Sequence, residues 1–541
     1  MVKRTCHAAG TAGERRPDNT SLAALRVACL AMLALALAVH GAAAQFRVPP
    51  YVQSPATDGM TVMWLSSGPT PGHLVCRDAD TQTPVFDAES QPQRAEALAY
   101  TQWETDRFFD GRAPAPPWLH EVRVAGLTPG RTYAYTVRQG DAEFSSSFRT
   151  APTDTQRIRF IVYADSETEP ESTGTPAGWA NPADPTERRV YPIDQTSGYA
   201  RNLAVIRSRN PDFVVIAGDL VQHGGEQRDW DEFWRHNTHT DPALSLADSV
   251  PILPALGNHE YYAGNALGGY NQPHSERAVA RYMTYFRTPG GGGGARRFYR
   301  LDYGPVAIMV LDVNNGQPAE SESDTNFRLL GNGEEGGGGA PDFHAGSEQH
   351  RWLGEQLRQA QRSAVFTFVV CHPCPYSVGP HGRPAGRGTA CDRLSGVPVR
   401  ALTPLFTRYG VDAVLCGHDE MYERSEVSGQ EIGTDGVGRP HVMHVYDVGI
   451  GGDGLRGPVP DLVNPWQRFL AHTHAPEVWK EGRLVEGGKH YGHLELEVRP
   501  TPDGSWEAVL TPAYVLPTGD AFDSFERRIY NDVVVLRGQA P

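Results

Sequence analysis

Two aspartates, an asparagine and three histidines recur in a fixed order along this chain, each at the end of a short hydrophobic run. Asp165 follows RFIVYA, Asp219 follows DFVVIAG, Asn258 and His259 follow VPILPALG, His372 closes AVFTFVVC, and His418 follows VDAVLCG. Carboxylate and carboxamide oxygens together with imidazole nitrogens are donors for divalent cations. A carboxylate shared between two such ions lets the pair clamp one substrate oxygen. Asp219, after the most apolar run, is the bridging candidate. Asn258 offers a neutral oxygen, His259 beside it a titratable imidazole, and His372 and His418 two nitrogen donors. Singly, a Gly-Asp is a turn and a lone His a satisfied core residue. Their common position at run ends makes them one metal-binding constellation.

The runs themselves are rich in β-branched and aromatic residues, the pattern of strands buried on both faces. Helix-like stretches such as Gly198–Arg209 and Glu348–Gln361 separate them, which predicts an α/β fold from Arg157 onward. Residues at the carboxyl ends of such strands converge on one edge of the sheet. Polar insertions, Glu167–Asp194, Gly291–Gly294 and Asn314–Ala345, are read as loops. Residues 45–152 have a different character. Alternating segments such as Met60–Trp64 and His120–Val124 lie between Pro/Gly turns, which predicts an all-β module. There, Gly126–Gly130, the Tyr-alternating Thr132–Val137 and Phe148-Arg-Thr150 resemble a fibronectin type III-like sandwich.

From about Pro49 onward the chain resembles the calcineurin-like metallophosphoesterases, most of all the purple acid phosphatase branch. GNHE at 257–260, His372-Pro-Cys-Pro-Tyr-Ser377 and Gly417-His-Asp-Glu-Met-Tyr-Glu-Arg424 carry the likeness. The resemblance implies a multidomain chain: a sandwich at 45–152, then a catalytic α/β domain at 157–541 built as a four-layer αββα sandwich. It implies two divalent or mixed-valence metal ions (Fe, Mn, Zn, Mg or Ca). Asp219 bridges, Asn258, His372 and His418 complete the second site, and Asp165 serves the first. The implied reaction is hydrolysis of small phosphate monoesters by in-line attack of a metal-held hydroxide, with His259 giving a proton to the leaving oxygen. Asn258 and His259 then also contact substrate, and His381 in a rim loop is a further phosphate-binding candidate. Tyr376, Tyr422, Arg424, His223 and Glu260 are supporting candidates. A phosphodiesterase or nucleotide hydrolase, and a non-catalytic surface-binding protein with a degenerate first site, are the alternatives.

Three positions depart from the family pattern. Glu167 stands where D-x-H has its histidine, Gln222 where the purple branch has a tyrosine, and Glu420 where G-H-x-H has its second histidine. Without that tyrosine no tyrosinate-to-iron charge transfer is implied. Glu167 and Glu420 are hypothesised to join Asp165 and Asp219 in a carboxylate-rich first site. All-oxygen donors suit Mg²⁺, Mn²⁺ or Ca²⁺, whereas the second site, with two imidazoles, suits Zn²⁺, Mn²⁺ or Fe²⁺.

Length and charge bound the rest. At 541 residues the chain exceeds one compact core and should hold at least two domains. Residues 1–44 carry a basic start, the apolar stretch Val27–Val39 and small residues Gly41–Ala44, which reads as a cleavable secretory signal. The expected setting is therefore secreted or periplasmic, with no membrane span after cleavage. Cleavage would remove a net charge of +3 from the chain's −15 and leave −18, which argues against a nucleic-acid partner. Five cysteines then remain, and a Cys374–Cys391 disulfide is the expected pairing, with Cys416 plain core.

Overall fold

The runs that end on the candidate ligands are strands. In chain order they are β1 (Ile158–Tyr163), β2 (Phe213–Ile216), β3 (Ile252–Pro254), β5 (Phe366–Pro373) and β6 (Ala413–Gly417), with β4 (Val306–Val310) beside β5 and β7 (Gly438–Val448) beside β6. The computed structural model describes residues 46–153, 157–181, 184–270, 273–289, 297–314, 340–386 and 388–540. The predicted signal, the Gly291–Gly294 run and most of the 314–345 insertion lie outside the described residues. No described helix is long and apolar enough to cross a membrane.

Two seven-stranded sheets carry the α/β part. In the first, β3, β2 and β1 run parallel, and β8 (Gly492–Pro500), β9 (Trp506–Thr518) and Ser524–Ile529 extend it antiparallel. In the second, β4, β5, β6 and β7 run parallel between antiparallel edges. Side chains alternate between two environments along each strand. Phe160, Val162 and Ala164 of the β1 stretch join Phe366, Phe368 and Val370 of β5 in one shared core between the sheets. Ile161 and Tyr163 face the opposite way, toward α1 (Gln195–Arg209), α2 (Gln227–Asn237) and α3 (His274–Tyr285). Val369 and Cys371 face α4 (Glu348–Ser363) and the Val397–Arg408 helical turns. The layers are thus helix, sheet, sheet, helix. Strands with apolar cover on both faces account for the unbroken hydrophobic runs.

Local chemistry sets the helix ends. Asp194 accepts the Ser197 N–H at 2.7 Å to start α1, and left-handed Asn210 ends it. Ser347 accepts the His350 N–H at 3.2 Å to start α4. Inside α1, Gly198 lets the helix lie on Tyr491, whose ring atoms would be 2.3 Å from a Cβ there.

Residues 46–149 form two four-stranded antiparallel sheets around Val62, Trp64, Leu74, Tyr135 and Phe148. In the Gly126–Gly130 turn, the Tyr133 hydroxyl accepts the Thr128 N–H at 2.9 Å. This sandwich falls in the same compact unit as the rest, Phe46–Pro541. The Tyr135 hydroxyl donates to the Asp248 carbonyl at 2.7 Å, and the Tyr51 ring lies 4.3 Å from that of Trp234.

Candidate metal centre

The parallel strands of both sheets end at one place, and the loops that follow them turn sharply. Asp165, Glu167, Asp219, His418 and Glu420 all have positive φ, between +32° and +85°. A side chain in that region costs about 1–2 kcal/mol, so the surrounding fold must hold each of them there. Glu260 supplies part of that hold. Its carboxylate accepts the N–H groups of Asp219 (3.0 Å), Leu220 (2.8 Å) and Gly257 (2.7 Å), tying the loop after β2 to the loop after β3. Burial first, then the neighbouring Asp219, raises this carboxyl to about 8.

On the histidine side four acceptor atoms meet. His372 Nε2 lies 2.8 Å from Asp219 Oδ2, 3.1 Å from Asn258 Oδ1 and 3.1 Å from His418 Nδ1. The other nitrogen of each ring is committed. His372 Nδ1–H donates to the Ala217 carbonyl at 2.8 Å, and His418 Nε2–H donates to the Leu394 carbonyl at 2.6 Å. A carbonyl can only accept, so each of these nitrogens carries a proton and the other nitrogen of each ring is the one turned into the cluster. Asn258 turns its amide nitrogen toward the Tyr270 hydroxyl at 3.3 Å, leaving its oxygen inward. Four potential ligand atoms converging in this way could hold a metal ion. Burial raises the Asp219 carboxyl, but His372 and His259 outweigh it and bring it down to about 2. Burial, then repulsion from His381 and His372, keeps His418 well below its ordinary value and neutral.

The other side is acidic. Ligand atoms of Glu167, Glu420 and Asp453 lie within 4.8 Å of one another, as do those of Glu167, Asp219 and His259. All of Glu167, Glu420 and Asp165 are pushed well above the carboxylate range, by burial first and by neighbouring acids second. Glu420 Oε2 is buried without a hydrogen-bond partner, and a Cβ at Gly454 would sit 1.3 Å from it. One unpaired buried carboxylate oxygen, in a gap only glycine leaves and beside two further carboxylates, offers donors of the kind that suit a hard cation.

Of the residues expected from the sequence, Asp219, Asn258, His372 and His418 come together on the histidine side, and Glu167 and Glu420 on the other. Asp165 stands beside the groups. Both its oxygens accept the His418 N–H, at 3.1 and 2.9 Å, so it holds the β6 loop from behind. His259 was expected as a proton donor, and its Nε2 lies 3.0 Å from Glu167 Oε1 and 3.9 Å from Asp219 Oδ2. His381 stacks on the His418 ring with centroids 3.8 Å apart, its Nδ1 2.7 Å from Asp392 and its Nε2 3.2 Å from Arg456. Tyr422 and Arg424 both bind Asp532, and His223 binds Asp229. The Cys374–Cys391 disulfide is absent because Cys374 is buried in the core and Cys391 lies partly exposed on a loop; the described cysteines are all unbridged. Cys371 and Cys416, on neighbouring strands, have their sulfurs 3.6 Å apart.

Sequence reasoning missed Asp453 and Arg456. Asp453 joins the acidic group, and Arg456 reaches Glu420 Oε1 at 2.5 Å. The signal was present, since MHVYDV at 443–448 is another hydrophobic run and its strand β7 lies parallel to β6. The glycines between that run and Asp453 obscured it.

Residues 192–421 match the family model described as Calcineurin-like phosphoesterase. The uncharacterized protein Rv2577 of Mycobacterium tuberculosis is 28% identical over 340 residues, 61% of this chain and 55% of its own. Purple acid phosphatase 21 of Arabidopsis thaliana is 25% identical over 316 residues, 57% of this chain and 53% of its own. The chain spans about half the length of the curated relatives it matches. The structure of purple acid phosphatase PPD1 from yellow lupin (Lupinus luteus) seeds aligns with a TM-score of 0.55 at 16% identity, covering 90% of this chain and 73% of the lupin chain.

Proposed function

From a chain similar to the calcineurin-like phosphoesterases and, among them, to the purple acid phosphatases, we propose a metal-dependent phosphohydrolase acting on small phosphate monoesters. The observation that carries this is the convergence of four potential ligand atoms from Asp219, Asn258, His372 and His418. Those residues would hold one divalent cation, and Glu167, Glu420 and Asp453, with Asp219 between the groups, would hold a second. When bound, the cations supply Lewis acidity toward the phosphoryl oxygens and lower the pKa of the attacking water. An exported setting rests on the sequence of residues 1–44.

The chain's own groups do the positioning and the proton transfer. His259 Nδ1–H donates to the Gln222 carbonyl at 2.7 Å, so the mobile proton belongs to Nε2, the nitrogen that faces Glu167 and Asp219. That nitrogen is the proton donor to the leaving oxygen. Arg456, on the rim between Glu420 and His381, orients the phosphoryl oxygens. His381, braced by Asp392 and stacked on His418, lines the same rim.

Replacing His259 by Ala should leave metal content unchanged and lower kcat for phenyl phosphate about 10²- to 10⁴-fold. Steady-state kinetics with metal analysis measures both, and full turnover in the variant would overturn the assignment. A second reading is favoured by the 2.5 Å Arg456–Glu420 contact: one cation on the histidine side, with Arg456 as the fixed charge on the acidic side. One metal equivalent per chain in the active protein would establish it, and two would exclude it.

A further inference from the structure

The loop that brings Arg456 to the acidic group has a second face. Gly457 covers a pocket whose walls include Trp179, His472 and Lys489. A Cβ on Gly457 would lie 3.1 Å from Lys489 Nζ and 3.2 Å from His472 Nε2, so an ammonium and an imidazole converge on one point of backbone. Neither forms a direct ion pair, and Glu477 acts on Lys489 only through its field. Lys489 is 8% exposed and, among the described residues, forms no ion pair or hydrogen bond; its contact is the face of Trp179, 4.6 Å away. Glu477, the acid in this pocket, is engaged by Arg189 and by Trp479 Nε1 at 2.8 Å. Both ring nitrogens of His472 are buried without a hydrogen-bond partner, and the Arg456 carbonyl approaches without completing one. Burial and Lys489 hold this imidazole down at about 3, so it is neutral and offers one N–H. Burial, opposed by the field of Glu477, lowers Lys489 to about 8, which leaves it charged at neutral pH.

Two cations, Arg189 and Lys489, share the single acid Glu477, so the buried ammonium is under-compensated, and an unpaired buried donor adds to the cost. Convergent donors with no acceptor describe a site for an oxyanion. Gly457, which lines this site, directly follows Arg456, which faces the reacting centre. Any part of a phosphate ester beyond the transferred phosphoryl belongs to its leaving group. We propose that the Trp179–His472–Lys489 pocket binds a second oxyanion, a phosphate or carboxylate, carried on the leaving group, so that doubly anionic phosphate esters are the preferred substrates. The inference rests on the phosphohydrolase reading and adds the substrate class to it.

Calorimetric titration of the metal-loaded protein with butylphosphonate, butane-1,4-bisphosphonate and longer bisphosphonates tests this without turnover. The best-fitting bisphosphonate should bind at least about tenfold tighter than the monophosphonate. Lys489→Met should abolish that advantage and leave butylphosphonate affinity unchanged, and Lys489→Arg should retain most of it. Equal or absent binding of the two ligand types in the unmodified protein, or an advantage that survives Lys489→Met, would overturn the proposal. Hydrolysis of butyl phosphate is measured in parallel. Its absence alongside an intact, Lys489-dependent bisphosphonate advantage supports the pocket and rejects the phosphohydrolase reading.

Discussion

Glu420 enters the acidic group because position 454 carries no side chain and adopts φ +54°. An alanine there would place its Cβ 1.3 Å from Glu420 Oε2, which no small adjustment relieves. Gly454→Ala should therefore expel Glu420 and lose the cation on the acidic side, while the one held by His372 and His418 stays. Metal analysis should fall by one equivalent, and an unchanged metal content would refute the role given to Glu420. At this scale the sequence was most legible where a polar residue follows a strand closely, as at Asp219, Asn258 and His418. It was least legible where reach replaces register. Asp453 stands five residues beyond β7 behind a glycine run, and Arg456 arrives by the length of its side chain. Asp165, expected among the first-site ligands from its position, accepts the His418 N–H from a left-handed backbone, a contact that strand position alone does not announce.

Helix α1 shows how an element is placed by what it lacks. Alanine usually stabilises a helix by about 1 kcal/mol over glycine. At Gly198 the Tyr491 ring stands 2.3 Å from the Cβ position, and overpacking of that kind costs about 1–3 kcal/mol. At 2.3 Å the clash with the ring outweighs the gain in helix propensity, so Gly198→Ala should destabilise the protein by up to about 2 kcal/mol in urea denaturation. A gain in stability would show that the helix can slide off the ring. Strand and helix positions were legible because buried parallel strands read as continuous apolar runs and α4 keeps helical spacing through Leu353, Leu357 and Ala360. The pairing of β8 with β1 was not, since strands more than 300 residues apart leave no local mark of their partnership.

For the molecule as a whole, burying Asp165, Glu167 and Glu420 together makes stability depend on cations and on pH. Their carboxyls are raised in the folded state, so between the ordinary carboxylate range and the raised values the folded chain holds protons that the unfolded chain has released. Stability then falls as pH rises through that window. Asp219, held at about 2, has the opposite sign but acts only in stronger acid. Depressed histidines such as His418 and His472 have the opposite sign below about pH 6.5, so the carboxyl effect is isolated above it. After chelation the protein should melt at a lower temperature near pH 8 than near pH 7, and Mn²⁺ added near pH 8 should restore several degrees by binding the folded state. A chelated protein more stable near pH 8 would contradict the cluster's electrostatics. The left-handed torsions at Glu167, His418 and Glu420 bear on descent as well. Glycine or asparagine would occupy such positions with less strain, and a lineage released from holding cations would drift toward them. A glutamate or histidine kept at these torsions is a heritable mark of a centre still in use, one that can be sought in any relative before its activity is measured.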